Sequence, residues 1–124
     1  MENLTEKEFK EKIFNYDEKD QWEFLGDKPY IIEFGADWCA PCKIVTPILE
    51  ELSEEYKDKI NIKTVDVDKE HNLSAALGIR NIPAILFVPI NKEPEMTVGA
   101  LPKKSFIEAI EELFEIKETA LNTK

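Results

Sequence analysis

The sequence is poor in the residues that build metal centres and stapled domains, with 2 cysteines and 1 histidine in 124 residues. Those three side chains cannot complete the four ligands of a structural zinc site within one chain, so no metal is expected. A chain of this length needs no disulfide framework, because it buries about two thirds of its unfolded surface around a single core. No apolar run approaches the ~18 residues of a membrane helix, which argues against a membrane role. Positive charge is also in deficit: 16 Lys and Arg against 26 Asp and Glu leave a net charge of −10. Such a surface repels a phosphate backbone, and nucleic acid is not an expected partner. The acids are dispersed among lysines, the pattern of a solvated face rather than of a binding site. With only 4 glycines and 43% hydrophobic residues, the composition is that of a packed protein and not of a disordered one.

The first eight residues are acidic and lack the basic and apolar regions of a secretory signal. The chain therefore reads as cytoplasmic, although a mature chain relieved of an export signal would look the same and be periplasmic. Its organisation reads as one domain over residues 1–124: an N-terminal helix and extended connection in 1–29, a core in 30–118 and a tail in 119–124.

What is present centres on Trp38-Cys39-Ala40-Pro41-Cys42-Lys43, which holds both cysteines. The hexapeptide lies between an apolar run at 30–35 and a stretch of helical period from Ile44. A Cys-X-X-Cys between a strand and a helix places the first sulfur where unpaired backbone N–H groups and the helix dipole favour a thiolate. The spacing lets the second sulfur reach the first, so the pair can open a foreign disulfide and then close its own.

Along the chain, Thr5 and Glu8 fit a capping box for a helix over 5–14. Residues 15–28 form a connection that is polar except for Trp22, Phe24 and Leu25, with the aromatics pinning it to the core, and that ends in a turn at 26–29. Residues 30–34 read as a buried strand in which Glu33 is the anomaly. Val45, Ile48, Leu49, Leu52 and Tyr56 give a helix to about residue 57, bent by Pro47. Residues 60–67 are a second strand, 73–77 a short helix stopped by Gly78, 84–88 a third strand and 96–98 a fourth. Phe106, Ile107, Ile110, Leu113 and Phe114 define a final amphipathic helix after Pro102. The order implies an α/β fold: parallel strands with crossover helices, then a hairpin, in a central mixed sheet of four to five strands flanked by helices on both faces.

These residues together resemble the thioredoxin family. The matching segments are 34–43, the helix proline Pro47, Gly78-Ile79-Arg80-Asn81-Ile82-Pro83 and Val98-Gly99-Ala100-Leu101, in the family's order and spacing over residues 30–118. The resemblance implies the thioredoxin fold and a protein-disulfide reductase with no bound cofactor, acting on disulfide-bearing proteins, reduced by a thioredoxin reductase and monomeric. It implies that Cys39, at an exposed helix start, attacks and that Cys42 resolves the mixed disulfide. Ala40 and Pro41 lie between the sulfurs; Ala40 replaces the family's usual Gly, a mild departure that should leave the direction of electron flow unchanged. Pro83, an ordinary strand-start proline on its own, is implied to follow a cis bond, with Ile82 pairing with substrate backbone. Trp38, Gly99 and Ala100 would form the substrate rim, with core packing the less favoured reading of Trp38 alone.

Glu33 stands where the family has a buried aspartate that takes the resolving cysteine's proton. Burial should raise its pKa and fit it for the same task. The family's partner lysine aligns with Thr64, and the neighbouring Lys63 should point to the opposite face. His71 reads as an exposed residue at a helix start. Two further readings stay open: an exported oxidase or isomerase, and a non-catalytic binding subunit of the same fold.

Overall fold

Strand β1 (Tyr30–Gly35) runs through the centre of a four-stranded sheet of order β2-β1-β3-β4, in a computed structural model that describes residues 1–117. The remaining elements are α1 (Glu6–Lys12), α2 (Cys42–Glu55), β2 (Asn61–Asp66), α3 (His71–Ala76), β3 (Ala84–Val88), β4 (Glu95–Val98) and α4 (Lys103–Phe114). The expected tail at 119–124 and residue 118 of the expected core lie outside the described residues.

The two-residue period of β1 divides the core in two. Tyr30, Ile32 and Phe34 join Phe9, Ile13, Val65, Leu73 and Leu86 on one face, whereas Ile31 joins Val45, Leu49, Leu52, Phe87, Phe106 and Ile110 on the other. Alternation thus places α1 and α3 on one side and α2 and α4 on the other. Glu33 shares its parity with Ile31 and so lies beneath α2, where it is 2% exposed.

One expectation is corrected. The strands before the hairpin were expected to run parallel; β1 and β2 do, but β3 is antiparallel to β1, with Phe34 opposite Ala84. The connection explains it. Six-residue α3 rises only about 9 Å, whereas a six-residue strand spans roughly 20 Å. α3 therefore does not return the chain along the length of the sheet, and β3 begins at the end where β2 stopped.

The chain's first residues also do more than their composition suggested. Asn3 bridges Thr64 in parallel: the Leu4 amide donates to the Thr64 carbonyl (2.7 Å) and the Thr64 amide to the Glu2 carbonyl (3.1 Å). This covers the outer edge of β2, and Leu4 is buried in the core. The capping box is present, with the Glu8 amide donating to Thr5 Oγ1 and the Thr5 amide to Glu8 Oε1. Trp22 and Phe24 pack against the first core cluster as expected, whereas Leu25 is exposed and is held through its amide by the Ile13 carbonyl.

Candidate active site

The chain leaves β1 at Gly35 and makes a tight loop before α2. The Cys39 amide donates to the Ala36 carbonyl (3.1 Å) and the Lys43 amide to the Ala40 carbonyl (3.0 Å), so the backbone is already winding when α2 begins at Cys42. The Cys42 amide, an N–H with no partner inside the helix, donates to Cys39 Sγ at 3.2 Å. The two sulfurs are joined in a disulfide, with Cα atoms 5.3 Å apart.

Cys39 was expected to be exposed; in this disulfide-linked form it is 3% exposed and Cys42 4%. The Cys39 sulfur is turned to Cys42 and its amide at the buried start of α2. What remains open is the surround: Trp38 is 69% exposed, and Ala40 and Pro41 are exposed beside it. The Trp38 indole N–H donates to Asp68 Oδ2 at 2.8 Å, which stands the ring at the surface rather than in the core.

Behind the pair lies Glu33. Thr46 Oγ1, one helical turn beyond Cys42, lies 2.9 Å from Glu33 Oε1 and 2.9 Å from the Cys42 carbonyl oxygen. Burial pushes the Glu33 carboxyl above its ordinary value, the Thr46 hydroxyl opposes that rise, and the charge of Glu50 adds to it. Gly35 explains the close approach of these groups. A Cβ there would sit 3.1 Å from Cys42 Sγ and 3.6 Å from Glu33 Oε2, so sulfur and carboxylate reach toward one point over a glycine. A cavity of about 440 Å³ opens on this point and is lined by Glu33, Cys42, Thr46, Thr64, Asp66 and Lys69, among others. Thr64 is directly opposite Glu33 in the register, and Lys63 pairs with Glu2 at 2.7 Å, away from the cavity.

On the rim, the Ile82–Pro83 bond is cis, Ile82 is half-buried and Pro83 buried. The Gly99 amide donates to the Pro83 carbonyl at 2.7 Å. Gly99 has φ +104° with no atom within 4 Å of where its Cβ would stand, so backbone conformation and not crowding calls for glycine here. Ala100 follows, exposed. His71 opens α3 at the surface. Among the described residues no cluster of His, Cys, Asp and Glu could hold a metal ion, and no helix is long and apolar enough to cross a membrane.

Two site residues escaped sequence reasoning. Thr46 carried a signal, since four residues after Cys42 on a helix is the same face one turn on. Asp68 carried none, because only the turn after β2 brings it to Trp38.

The family model for thioredoxin matches residues 1–112. The chain is 43% identical to a thioredoxin of Borreliella burgdorferi over 112 residues, 90% of this chain and 96% of that one. It is 37% identical to a thioredoxin of Chlorobaculum thiosulfatiphilum over 82% of this chain and 95% of that one. Among solved structures, chloroplastic thioredoxin z, described as defining a type-specific target recognition, superposes with a TM-score of 0.77 at 26% identity, covering 91% of this chain and 93% of that one. The family match over residues 1–112 and the 43% identity to a thioredoxin, on a fold whose one cysteine pair is joined in a disulfide, show that the chain belongs to the thioredoxin family of thiol–disulfide oxidoreductases.

Proposed function

We propose that this chain reduces disulfides in other proteins, with Cys39 as the attacking thiolate, Cys42 as the resolving thiol and Glu33 as the base that takes the Cys42 proton. The observation that carries the assignment is the Cys42 N–H directed at Cys39 Sγ from the first residue of α2. The same N–H and the helix dipole favour a negative sulfur at Cys39 once the disulfide is opened, and no such donor is recorded for Cys42 Sγ among the described residues. Counted from the dithiol, Cys39 loses its proton to solvent and attacks one substrate sulfur, the substrate S–S bond breaks, and the other sulfur leaves as a thiolate that takes a proton back from solvent. Cys42 then gives its proton to Glu33 and attacks Cys39, releasing the second substrate sulfur, which takes the proton that Glu33 gives up. Two electrons and two protons pass to the substrate, and the Cys39–Cys42 disulfide is the product.

Trp38, Ala40, Pro41, Ile82, Pro83, Gly99 and Ala100 present the substrate, with the Ile82 backbone offering strand-like hydrogen bonds that suit many sequences. The chain works as a single-domain monomer in the cytoplasm, where thiols are kept reduced, and a thioredoxin reductase returns it to the dithiol.

Insulin-disulfide reduction, measured with each cysteine replaced, tests the roles. Cys39→Ser is expected to lower turnover at least a hundredfold without forming adducts, and Cys42→Ser to accumulate a mixed disulfide visible by mass. Equal residual activity in the two variants would refute the assignment. A measured potential well above that of glutathione would instead identify an oxidase, and activity surviving loss of both sulfurs a binding subunit.

A further inference from the structure

We propose that Thr46 is a positioning residue for the buried end of the cysteine pair: its hydroxyl holds the Glu33 carboxyl and sets when that carboxyl takes the Cys42 proton. This deepens the reading of Glu33 as base and rests on it. The argument is one of hydrogen count. Thr46 Oγ1 is within hydrogen-bonding distance of Glu33 Oε1 (2.9 Å), Glu33 Oε2 (3.2 Å) and the Cys42 carbonyl oxygen (2.9 Å). A hydroxyl has a single hydrogen, and an ionised carboxylate and a carbonyl can only accept.

With Glu33 ionised, the Thr46 hydrogen serves the carboxylate and the carbonyl goes without it. With Glu33 protonated, the acid O–H donates to Thr46 Oγ1 and the Thr46 hydrogen turns back to the Cys42 carbonyl, the usual i to i−4 contact of a helical threonine. Both protonation states are therefore satisfied by a rotation about one C–O bond. In the resolving step, one proton leaves Cys42 sulfur for a Glu33 oxygen, the Cys42 thiolate attacks Cys39, and the Thr46 hydroxyl rotates with no proton of its own gained or lost.

The surroundings leave this role to Thr46. Facing Glu33 across the sheet are Thr64 on β2 and apolar Ile85 on β3. The charged groups lining the cavity are Asp37 before α2, Lys43 on α2, and Asp66 and Lys69 at and after the end of β2, with Glu50 on α2 opposing ionisation. Among the described residues, no cation is hydrogen-bonded or paired to the Glu33 carboxylate. Thr46 is its recorded hydrogen-bond partner.

Two measurements on Thr46→Val, Thr46→Ser and Glu33→Gln test this. The first is the titration of the Glu33 carboxyl carbon by ¹³C NMR, with Glu33→Gln supplying the assignment. The second is stopped-flow reaction of the reduced protein with excess dithiobisnitrobenzoate, whose first phase reports Cys39 attack and whose second reports release by Cys42. In Thr46→Val, which keeps the β-branched shape, the Glu33 titration should move to higher pH. The acid limb of the second phase should move with it, lowering the rate on that limb about tenfold, the worth of one hydrogen bond to a charged group. The first phase should stay unchanged, and Thr46→Ser should restore both. An unmoved Glu33 titration in Thr46→Val would overturn the proposal. So would a loss of second-phase rate that persists when Glu33→Gln is combined with Thr46→Val, since the threonine would then act through packing. A second phase indifferent to Glu33→Gln would sink the base reading of Glu33 alone, and the carbon titration would still decide the Thr46–Glu33 link.

Discussion

Glu33 joins a stability question to a catalytic one. Its folded-state pKa is raised by burial, so between the ordinary glutamate range and its own higher titration the folded chain holds a proton that the unfolded chain has lost. Stability therefore falls as pH rises through that window. Glu33→Gln is expected to melt a few degrees above the wild type at pH 8, the displacement that about 1 kcal/mol produces, and to converge with it at pH 4. Thermal melts at the two pH values check the sign. Gly35 is the other residue under constraint, because an added Cβ would meet Cys42 Sγ at 3.1 Å and Cys42 Cβ at 3.4 Å. A tethered sulfur cannot step aside as a free thiol can, so Gly35→Ala should disfavour the disulfide relative to the dithiol. A shift of the potential upward by about 30 mV, read by equilibration with glutathione, corresponds to a tenfold change in that balance. Cys39, Cys42, Trp38 and Pro83 were legible in the sequence because spacing and residue type identify them together. Thr46 was legible only as a residue on the Cys42 face of α2, and its link to Glu33 emerges when β1 is laid beneath α2.

At the level of elements, alternation along the strands and three- and four-residue spacing along the helices located the eight elements of the described residues, with boundaries differing by a few residues where caps decide the end. The direction of β3 was not legible, because periodicity describes which face a residue takes and says nothing of which way the chain travels. The edge pairing at Asn3 escaped for a related reason, since a bridge of a single residue has no period to detect. That segment is nonetheless held by the core through Leu4. Leu4→Ala is expected to cost about 2–4 kcal/mol in urea unfolding, as for other buried leucines, while leaving both cysteines in place. A loss under about 0.5 kcal/mol would mean that the first strand-like residues add nothing to the fold.

For the whole molecule, the net charge of −10 acts at longer range than any contact described above. It should speed encounter with basic disulfide peptides and slow it with acidic ones, and salt should reduce the difference by screening charges farther apart than a Debye length, ~8 Å at physiological ionic strength. Rates of Cys39 attack on a matched pair of peptides, one basic and one acidic, are expected to differ several-fold at low salt and to converge at about 0.5 M, where that length shortens further. The pairing of residues 2–4 with β2 has a practical corollary for anyone joining this protein to a reporter. Asn3 accepts the Thr64 hydroxyl hydrogen and lines the chamber under the sulfurs. A label attached ahead of Met1 would thus begin two residues from a wall of that cavity, and is expected to slow the second phase of the stopped-flow reaction.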